Sequence, residues 1–188
     1  MKRLYFILVL WIGKFGNVLC KIFHKSGTMI SGKVAFKIQN NFVKYFRNID
    51  YDKVIFITGT NGKSTTTNLV SHTVKMAGKE VATNTEGANM MSGVATTLIK
   101  NSSLFGKFNK EFLILEIDER SLRNIFKLLP AKNLCITNLQ KDEVQRNGDP
   151  DFIYQMFIGA VNKDVTLFVN NEEPRSRSLE DYVGKVVY

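Results

Sequence analysis

A short run of glycine, basic and hydroxyl residues follows an apolar stretch in the first third of the chain. Residues 54–57 are apolar, and Gly62-Lys63-Ser64 follows after a small-residue turn, where a helical pattern begins. Glycine lets backbone N–H groups approach an anion, and a helix N-terminus carries partial positive charge. A lysine here reaches the outer phosphates of a nucleotide, and the adjacent hydroxyl is a usual Mg²⁺ ligand. The run therefore predicts a phosphate-binding loop.

The spacing of this run differs from the general P-loop pattern, which has a glycine five residues before the glycine of Gly-Lys-Ser. That position is Ile57, and the first glycine of the run is Gly59. The alternative is a glycine-rich turn that only joins a strand to a helix. The order of strand, glycine turn, Gly-Lys-Ser and helix favours phosphate binding.

The compact loop resembles the ATP-binding loop of the Mur ligase superfamily, whose members activate a carboxylate as an acyl phosphate and then form an amide. The resemblance implies ATP and Mg²⁺ as cofactors, a catalytic role for Lys63 and a metal-binding role for Ser64. The residues that it assigns to ATP binding in this loop are Gly59, Thr60, Asn61, Gly62, Lys63, Ser64 and Thr65.

Three further stretches narrow the resemblance to the MurT family, the ligase subunits of lipid II isoglutaminyl synthase. They are residues 83–95 with a Gly-Ala-Asn run, residues 115–119, which read Leu-Glu-Ile-Asp-Glu, and residues 137–139, which read Thr-Asn-Leu. The family resemblance implies a reaction in peptidoglycan biosynthesis for the cell wall. ATP would activate the α-carboxylate of D-glutamate in the lipid II stem peptide. Ammonia from a GatD-like glutamine amidotransferase would then give D-isoglutamine.

The resemblance also implies roles for residues at the ends of the later strands. Glu116 closes the third predicted strand and matches the catalytic, Mg²⁺-binding glutamate; the alternative is a solvated loop acid. Glu119 is expected to be a solvated loop acid. Asn170 matches a residue near the adenine of ATP. The expected substrate residues are Thr85, Asn89, Asn138, Asp142 and Arg146.

One of these stretches, at 141–148, departs from the family pattern. Asp142 and Arg146 are kept, but Gln145 stands where the family has an aspartate. The loss of a carboxylate affects the handling of metal or substrate, and it favours a nucleotide-binding module without turnover as the second function class.

Composition and charge are those of one globular domain with an anionic partner. The chain has 188 residues, of which 44% are hydrophobic, and a net charge of +9. A nucleotide, a phospholipid surface and nucleic acid all fit that charge, but no nucleic-acid module signature occurs, so nucleic acid is not expected.

Cys20 and Cys135 lie far apart without metal-ligand neighbours. We expect free thiols in a reducing cytosol and no zinc in this chain.

The N-terminus has an apolar run behind two basic residues. The run, residues 4–12, is too short to span a bilayer, which takes about 20 residues. A signal peptide also begins with basic residues, but no clear small-x-small cleavage pattern follows. Two alternatives stay open for residues 2–24: a helix packed on the domain, and an interfacial helix anchored by Trp11 and basic residues. The second would place a cytoplasmic protein at the inner face of the cytoplasmic membrane.

Strands and helices alternate along the rest of the chain, which predicts an α/β fold of the P-loop type with a doubly wound, mainly parallel sheet. Apolar residues every four positions from Val34 to Phe46 predict one helix there. The expected organisation is a short helical segment at 1–50 and a partial Mur ligase central ATP-binding domain at 51–188. Strands are expected at 53–58, 80–84, 112–117, 134–137 and 165–169, and helices at 63–77, 92–100, 120–129 and 152–161.

Mur-type ligases also have a C-terminal domain that closes over ATP, and the MurT family usually has a four-cysteine zinc ribbon. Neither occurs in these 188 residues. We therefore expect the front portion of a longer ATP-dependent carbon–nitrogen ligase, incomplete at the C-terminal side and inactive alone. Within the ligase class, a folylpolyglutamate or cyanophycin ligase is the alternative. The Gly-Ala-Asn run and the short N-terminal segment argue against it.

Overall fold

A six-stranded parallel sheet forms the centre of the protein in a computed structural model, which describes residues 2–22, 29–84, 88–140 and 150–188. The strand order is β2-β3-β1-β4-β5-β6, and every described pair of neighbours is parallel. The predicted α/β class with a parallel sheet is therefore confirmed. The strands are β1 (Val54–Thr58), β2 (Val81–Thr83), β3 (Phe112–Glu116), β4 (Asn133–Ile136), β5 (Thr166–Val169) and β6 (Lys185–Val187).

The chain reverses its direction of winding at β1. It passes from β1 to the edge strand β2, returns to β3 beside β1, and then crosses to β4 on the other side of β1. In the register, Ile57 pairs with Glu116 and Thr58 with Ile136. The ends of three strands therefore meet around the loop that follows Thr58, which is the usual ligand position in a doubly wound sheet.

Helices cover both faces of the sheet, because successive residues of each buried strand point to opposite faces. On one face Ile57 packs with Val70 and Val74 of α3. On the other face Phe56 packs in the main core, to which α1, α2, α4, α5 and α6 contribute. The helices are α1 (Lys2–Ile22), α2 (Ile30–Ile38), α3 (Lys63–Met76), α4 (Met91–Lys100), α5 (Leu122–Leu128), α6 (Pro150–Ile158) and α7 (Pro174–Arg177).

The helix predicted across residues 34–46 is interrupted. α2 ends at Ile38, Gln39 is extended, and a 3₁₀ turn follows at Phe42–Tyr45. Two asparagines at 40–41 favour this break, because asparagine side chains compete with helical backbone bonds. Only the second half of the four-residue spacing reflects packing in the core, since Phe42 and Phe46 both contact Phe6 of α1 with ring centroids 5.1 and 5.2 Å away. Residues on both sides of the predicted boundary at 50 share this core, and the boundary itself stays a prediction.

A close crossing of α2 and α4 joins the N-terminal helices to the sheet. The backbone N–H of Gly32 donates to Thr96 Oγ1 at 2.9 Å. A Cβ atom on Gly32 would lie 1.9 Å from the carbonyl oxygen of Ser92, far inside van der Waals contact. Only glycine fits at this point without moving one helix.

We expect Gly32→Ala to lower the free energy of unfolding by about 1–3 kcal/mol, the usual range for overpacking. Gly16→Ala is the matched control, because Gly16 also lies in a helix and a Cβ there meets nothing within 4 Å. That control should gain up to about 1 kcal/mol from helix propensity. Urea unfolding followed by circular dichroism measures both. Equal stability of the two variants would contradict the packing described for α2 and α4.

Candidate nucleotide-binding site

The loop between β1 and α3 lies against the end of β4. Gly59 has a φ of +126° and Gly62 a φ of +81°, both in the region that favours glycine. A Cβ atom on Gly59 would lie 2.3 Å from Thr137 Oγ1 and 2.8 Å from the carbonyl oxygen of Asn138. Gly59 is thus required both by its backbone conformation and by the close approach to β4.

Asn138 fixes the loop through its backbone and its side chain. Its carbonyl oxygen accepts from the N–H of Thr60 at 2.9 Å, and its Oδ1 accepts from the N–H of Asn61 at 3.0 Å. Its Nδ2 donates to the carbonyl oxygen of Asn61 at 3.1 Å, which Thr137 Oγ1 also contacts at 2.7 Å. Asn138 therefore positions the loop, and its expected contact with substrate stays a prediction.

The N-terminus of α3 is open to an anion. Gly62 is the N-cap and has no side chain, no capping bond is found among the described residues, and the first turn has no acidic residue. The first backbone N–H groups of a helix have no partner within it. Together with the helix dipole, those of Lys63, Ser64 and Thr65 offer donors of the kind that bind phosphate in other proteins.

Lys63 is folded back over the loop and is mostly buried. Its Nζ donates to the carbonyl oxygens of Gly59 and Thr60, the latter at 3.0 Å. It also forms an ion pair of 3.2 Å with Glu119 Oε1. The ammonium group is therefore kept beside the loop by acceptors that a phosphate would replace.

Glu119 is buried, so the expectation that it is a solvated loop acid is wrong. The residue is 3% exposed. Burial raises the pKa of its carboxyl group, and the ammonium of Lys63 partly offsets that rise. The turn after β3 directs the Glu119 side chain inward to Lys63, whose charge compensates the buried carboxylate. A second carboxylate thus lies at the phosphate loop.

Glu116 is likewise buried rather than a solvated loop acid, and it contacts the start of α3. Ser64 Oγ donates to Glu116 Oε2 at 2.6 Å, and Asn89 Nδ2 donates to Glu116 Oε1 at 3.2 Å. Three of the predicted site residues, one each from α3, β3 and the segment before α4, therefore meet at one point. A hydroxyl and a carboxylate at this distance are two oxygen ligands of the kind that Mg²⁺ takes along with phosphate and water.

Asn84 fixes the backbone of Glu116 and was not identified from the sequence. Its Oδ1 accepts from the N–H of Glu116, and its Nδ2 donates to the carbonyl oxygen of Glu116, both at 2.8 Å. The same Nδ2 donates to the carbonyl oxygen of Ala88 at 2.7 Å. The amide side chain thus extends the pairing of β2 with β3 by one step. An asparagine immediately after a short edge strand is the signal that could have indicated it.

The Mur ligase middle domain family matches residues 57–186 of the chain. The chain belongs to this family. Two similar proteins are MurT subunits of lipid II isoglutaminyl synthase (glutamine-hydrolyzing). The Staphylococcus aureus (strain COL) subunit is 29% identical over 178 residues, which are 94% of this chain and 40% of that protein. The Streptococcus pneumoniae (strain ATCC BAA-255 / R6) subunit is 34% identical over 150 residues, 79% of this chain and 33% of that protein.

A solved Mur ligase has the same fold. The MurF ligase from Thermotoga maritima in complex with ADP aligns with a TM-score of 0.62 and 16% identity, over 84% of this chain and 36% of that one. This chain is thus similar to MurT over most of its length, which confirms the predicted recognition, while it spans only 40% or less of the length of those two relatives.

The remaining predicted residues of this Mur ligase middle domain are only partly described. Asn170 follows β5, two strands from β1, and its Oδ1 accepts from the N–H of Glu172 at 3.0 Å. Thr85, Asp142, Arg146 and the substituted Gln145 lie outside the described residues.

No group of three or more His, Cys, Asp or Glu side chains that could hold a metal occurs in the described ranges. A metal here would depend on Ser64, Glu116 and the phosphates.

A groove of about 350 Å³ opens beside the turn that follows β3. Arg120, Asn124 and Lys127 form its polar side, and Phe36 of α2 with Met91 of α4 its apolar side. Arg120 directly follows Glu119 in the chain, but neither Glu116 nor Glu119 lines the groove. Its two cations suit an anionic ligand.

We expect Glu119→Gln to stabilise the protein relative to the parent more at pH 7.5 than at pH 4.5. The pKa of Glu119 is raised on folding, so its stabilising contribution exists below the unfolded value of about 4.3 and is lost as the pH rises through the folded pKa. Glutamine keeps the neutral form at every pH. Thermal unfolding between pH 4.5 and 7.5 measures the difference, with exposed Glu172→Gln as the control for removing one carboxylate. A difference that falls with pH would contradict the buried position of Glu119.

Proposed function

We propose that these residues form the Mg·ATP-binding part of a MurT-like amide ligase. The observation that carries the proposal is the 2.6 Å contact of Ser64 Oγ with Glu116 Oε2, directly beside Lys63 at the N-terminus of α3. A phosphate cation, a hydroxyl and a carboxylate are thus grouped at the switch point of a parallel sheet, where such folds bind nucleotides.

Each of these side chains has a distinct task in the proposed site. The ammonium group of Lys63 would leave the carbonyl oxygens of the loop and the Glu119 carboxylate and would contact the outer phosphates instead. The backbone N–H groups at the start of α3 would bind the same phosphates. Ser64 and Glu116 would hold Mg²⁺, and Asn84 would keep the Glu116 carboxylate in place through its backbone. Mg²⁺, when bound, supplies neutralisation of phosphate charge. Asn170, at the end of β5, is proposed to lie near the adenine.

The proposed reaction is activation of the D-glutamate α-carboxylate of lipid II by ATP, followed by amide formation with ammonia from a GatD-like glutaminase. The similarity to MurT subunits over 94% of the chain supports this choice of substrate and partner. The groove lined by Arg120 and Lys127 offers two cations that suit an anionic substrate.

A nucleotide-binding module without turnover is the second candidate. The replacement of a family aspartate by Gln145 favours it. Both candidates share the proposed nucleotide site, and they differ only in whether product forms.

Lys63→Ala should abolish measurable binding of Mg·ATP, a loss of roughly 100-fold, because it removes the cation that contacts the phosphates. Glu116→Gln should remove most of the gain in affinity that Mg²⁺ gives, with a smaller effect on metal-free ADP. Isothermal titration calorimetry with and without EDTA measures both. Lys75→Ala is the matched control, because Lys75 is exposed at the other end of α3. Equal affinity of Lys63→Ala and the control would refute the proposed site.

We expect the 188 residues alone to bind ATP without converting lipid II. Acyl-phosphate chemistry needs the γ-phosphate enclosed and water excluded, and these residues match only 40% of a MurT relative. The assay supplies lipid II, ATP, glutamine and a glutaminase partner, and mass spectrometry detects amidation of the stem glutamate. Stoichiometric amidation of lipid II by these residues alone would overturn this expectation and would directly establish ligase activity.

A further inference from the structure

Helix α1 is apolar on two opposite sides. Its inner side packs Phe6, Val9 and Leu10 into the core, where each is 1% exposed or less. On its outer side apolar residues recur at alternating spacings of four and three, which places them on one face of the helix. These six residues are Leu4, Leu8, Trp11, Phe15, Val18 and Ile22. Leu4, Phe15 and Ile22 are 64–67% exposed, so this side is not covered by the described chain.

The same surface continues onto α2 and onto a loop on the other flank. Ile30, Val34 and Ile38 of α2 are exposed at four-residue spacing, and Tyr5 OH of α1 donates to the carbonyl oxygen of Ile38 at 3.1 Å. On the other flank, Trp11 Nε1 donates to the carbonyl oxygen of Leu104 at 2.9 Å. Leu104 and Phe105 are themselves more than half exposed. We call these eleven apolar residues of α1, α2 and the loop the outer face.

The size of the outer face is unusual for a soluble domain. Its exposed fractions correspond to an area on the order of 1,000 Å², against about 300–600 Å² for the largest apolar patch on a typical monomer. A surface of this kind binds a protein or a membrane.

The distribution of charge distinguishes between a protein and a membrane as the partner of the outer face. All nine basic residues of the first 49 positions lie in a stretch with no Asp or Glu, and the other 17 basic residues of the chain balance its 17 acidic ones. The whole net charge of +9 therefore belongs to the segment that carries α1 and α2. Two such surfaces would repel each other in a dimer, and the cores of protein interfaces are depleted in lysine. An anionic surface is the complementary partner.

The helix is built to lie along such a surface rather than to cross it. α1 is long and apolar enough to span a membrane by length and composition. If α1 crossed a membrane, Phe6, Val9 and Leu10 would have to leave the core in which they are buried. Crossing would also break the bonds of Lys14 Nζ to the carbonyl oxygens of Ile99 and Ser102, at 2.7 and 2.6 Å. With these contacts kept, only the outer side is available to lipid.

We propose that the outer face docks in the plane of an anionic phospholipid bilayer, with its aromatic and aliphatic side chains in the headgroup region and Lys2, Lys33 and Lys37 at its rim. Lys2, Lys33 and Lys37 are all exposed. The close crossing of α2 with α4 ties this face to Asn89, which lies just before α4 and donates to Glu116 at the end of β3. The candidate nucleotide site would therefore keep a set position above the membrane. The inference does not rest on the proposed function, because it uses neither the nucleotide nor the ligase reaction.

The test is co-sedimentation of the whole chain with vesicles of phosphatidylcholine alone or with phosphatidylglycerol added. We expect binding to the anionic vesicles that weakens steeply with salt, since exposed charges are screened. Leu8→Glu with Phe15→Glu should reduce the partition coefficient about tenfold or more. Lys33→Glu with Lys37→Glu should reduce it about tenfold and flatten the salt dependence. Point substitutions on the outer side are preferred to deleting α1, because its inner side belongs to the core.

Each pair of substitutions has a matched control elsewhere on the surface. Leu69→Glu with Met76→Glu changes two apolar residues of α3 that are 65% and 75% exposed. Lys75→Glu with Lys185→Glu makes the same charge change in the electrically balanced part of the chain. Both control pairs should bind vesicles like the parent, and circular dichroism checks that all variants fold.

Three results would overturn the proposal. One is equal binding by the Leu8/Phe15 pair and its control. Another is a parent that stays in solution at low salt as a monomer, which would mean that another part of the protein covers the outer face. The third is a dimer in light scattering that the Leu8/Phe15 pair dissociates, without any binding to vesicles, which would assign the face to a second copy.

Discussion

The contact between Ser64 and Glu116 is the point on which the site depends. It joins the first turn of α3 to the end of β3, across the loop that follows β1. The contact depends on the register of β1 and β3, in which Ile57 pairs with Glu116, because this register brings the end of β3 beside the loop that follows β1. Asn84 then fixes the backbone of Glu116 from the other side. A one-residue slip of β3 would turn Glu116 to the opposite face of the sheet and separate all of these groups.

Two buried carboxylates and one ammonium group determine the electrostatics around this contact. Glu119 faces Lys63, and Glu116 accepts from neutral donors, Ser64 and Asn89. Burial of unpaired charge is costly, so the ion pair of Lys63 with Glu119 stabilises both groups without a ligand. The same pair keeps the lysine at the loop, where an incoming phosphate competes with a carboxylate and two carbonyl oxygens. The ligand-free site is therefore organised before a nucleotide arrives, at the expense of some binding free energy.

The N-terminal helices connect two surfaces that would otherwise be independent. The inner side of α1 packs around Phe42 and Phe46, while α2 packs through Gly32 on α4. Helix α4 begins next to Asn89, which contacts Glu116. The outer face is thus connected, through the packing of α1 on α2 and of α2 on α4, to the end of β3 beside the phosphate loop. The basic, apolar outer face and the acidic site lie at the two ends of this connection.

The sequence by itself predicted the first five strands and the helices between them, because these follow from local hydrophobic periodicity. It also predicted a phosphate loop at Lys63 and Ser64 from the glycine placement after a strand. The role of Glu116 came from the family resemblance, and the roles of all three residues stay predictions. The sequence also indicated the family from the stretches at 83–95 and 115–119. Only the tertiary structure decided what depends on the approach of distant segments. Asn84 and Glu119 owe their roles to strand register and burial, and Asn138 contacts the loop because β4 lies beside β1. The break at Gln39 was likewise decided by packing, because Phe42 and Phe46 turn into the core against Phe6 while Val34 and Ile38 stay exposed.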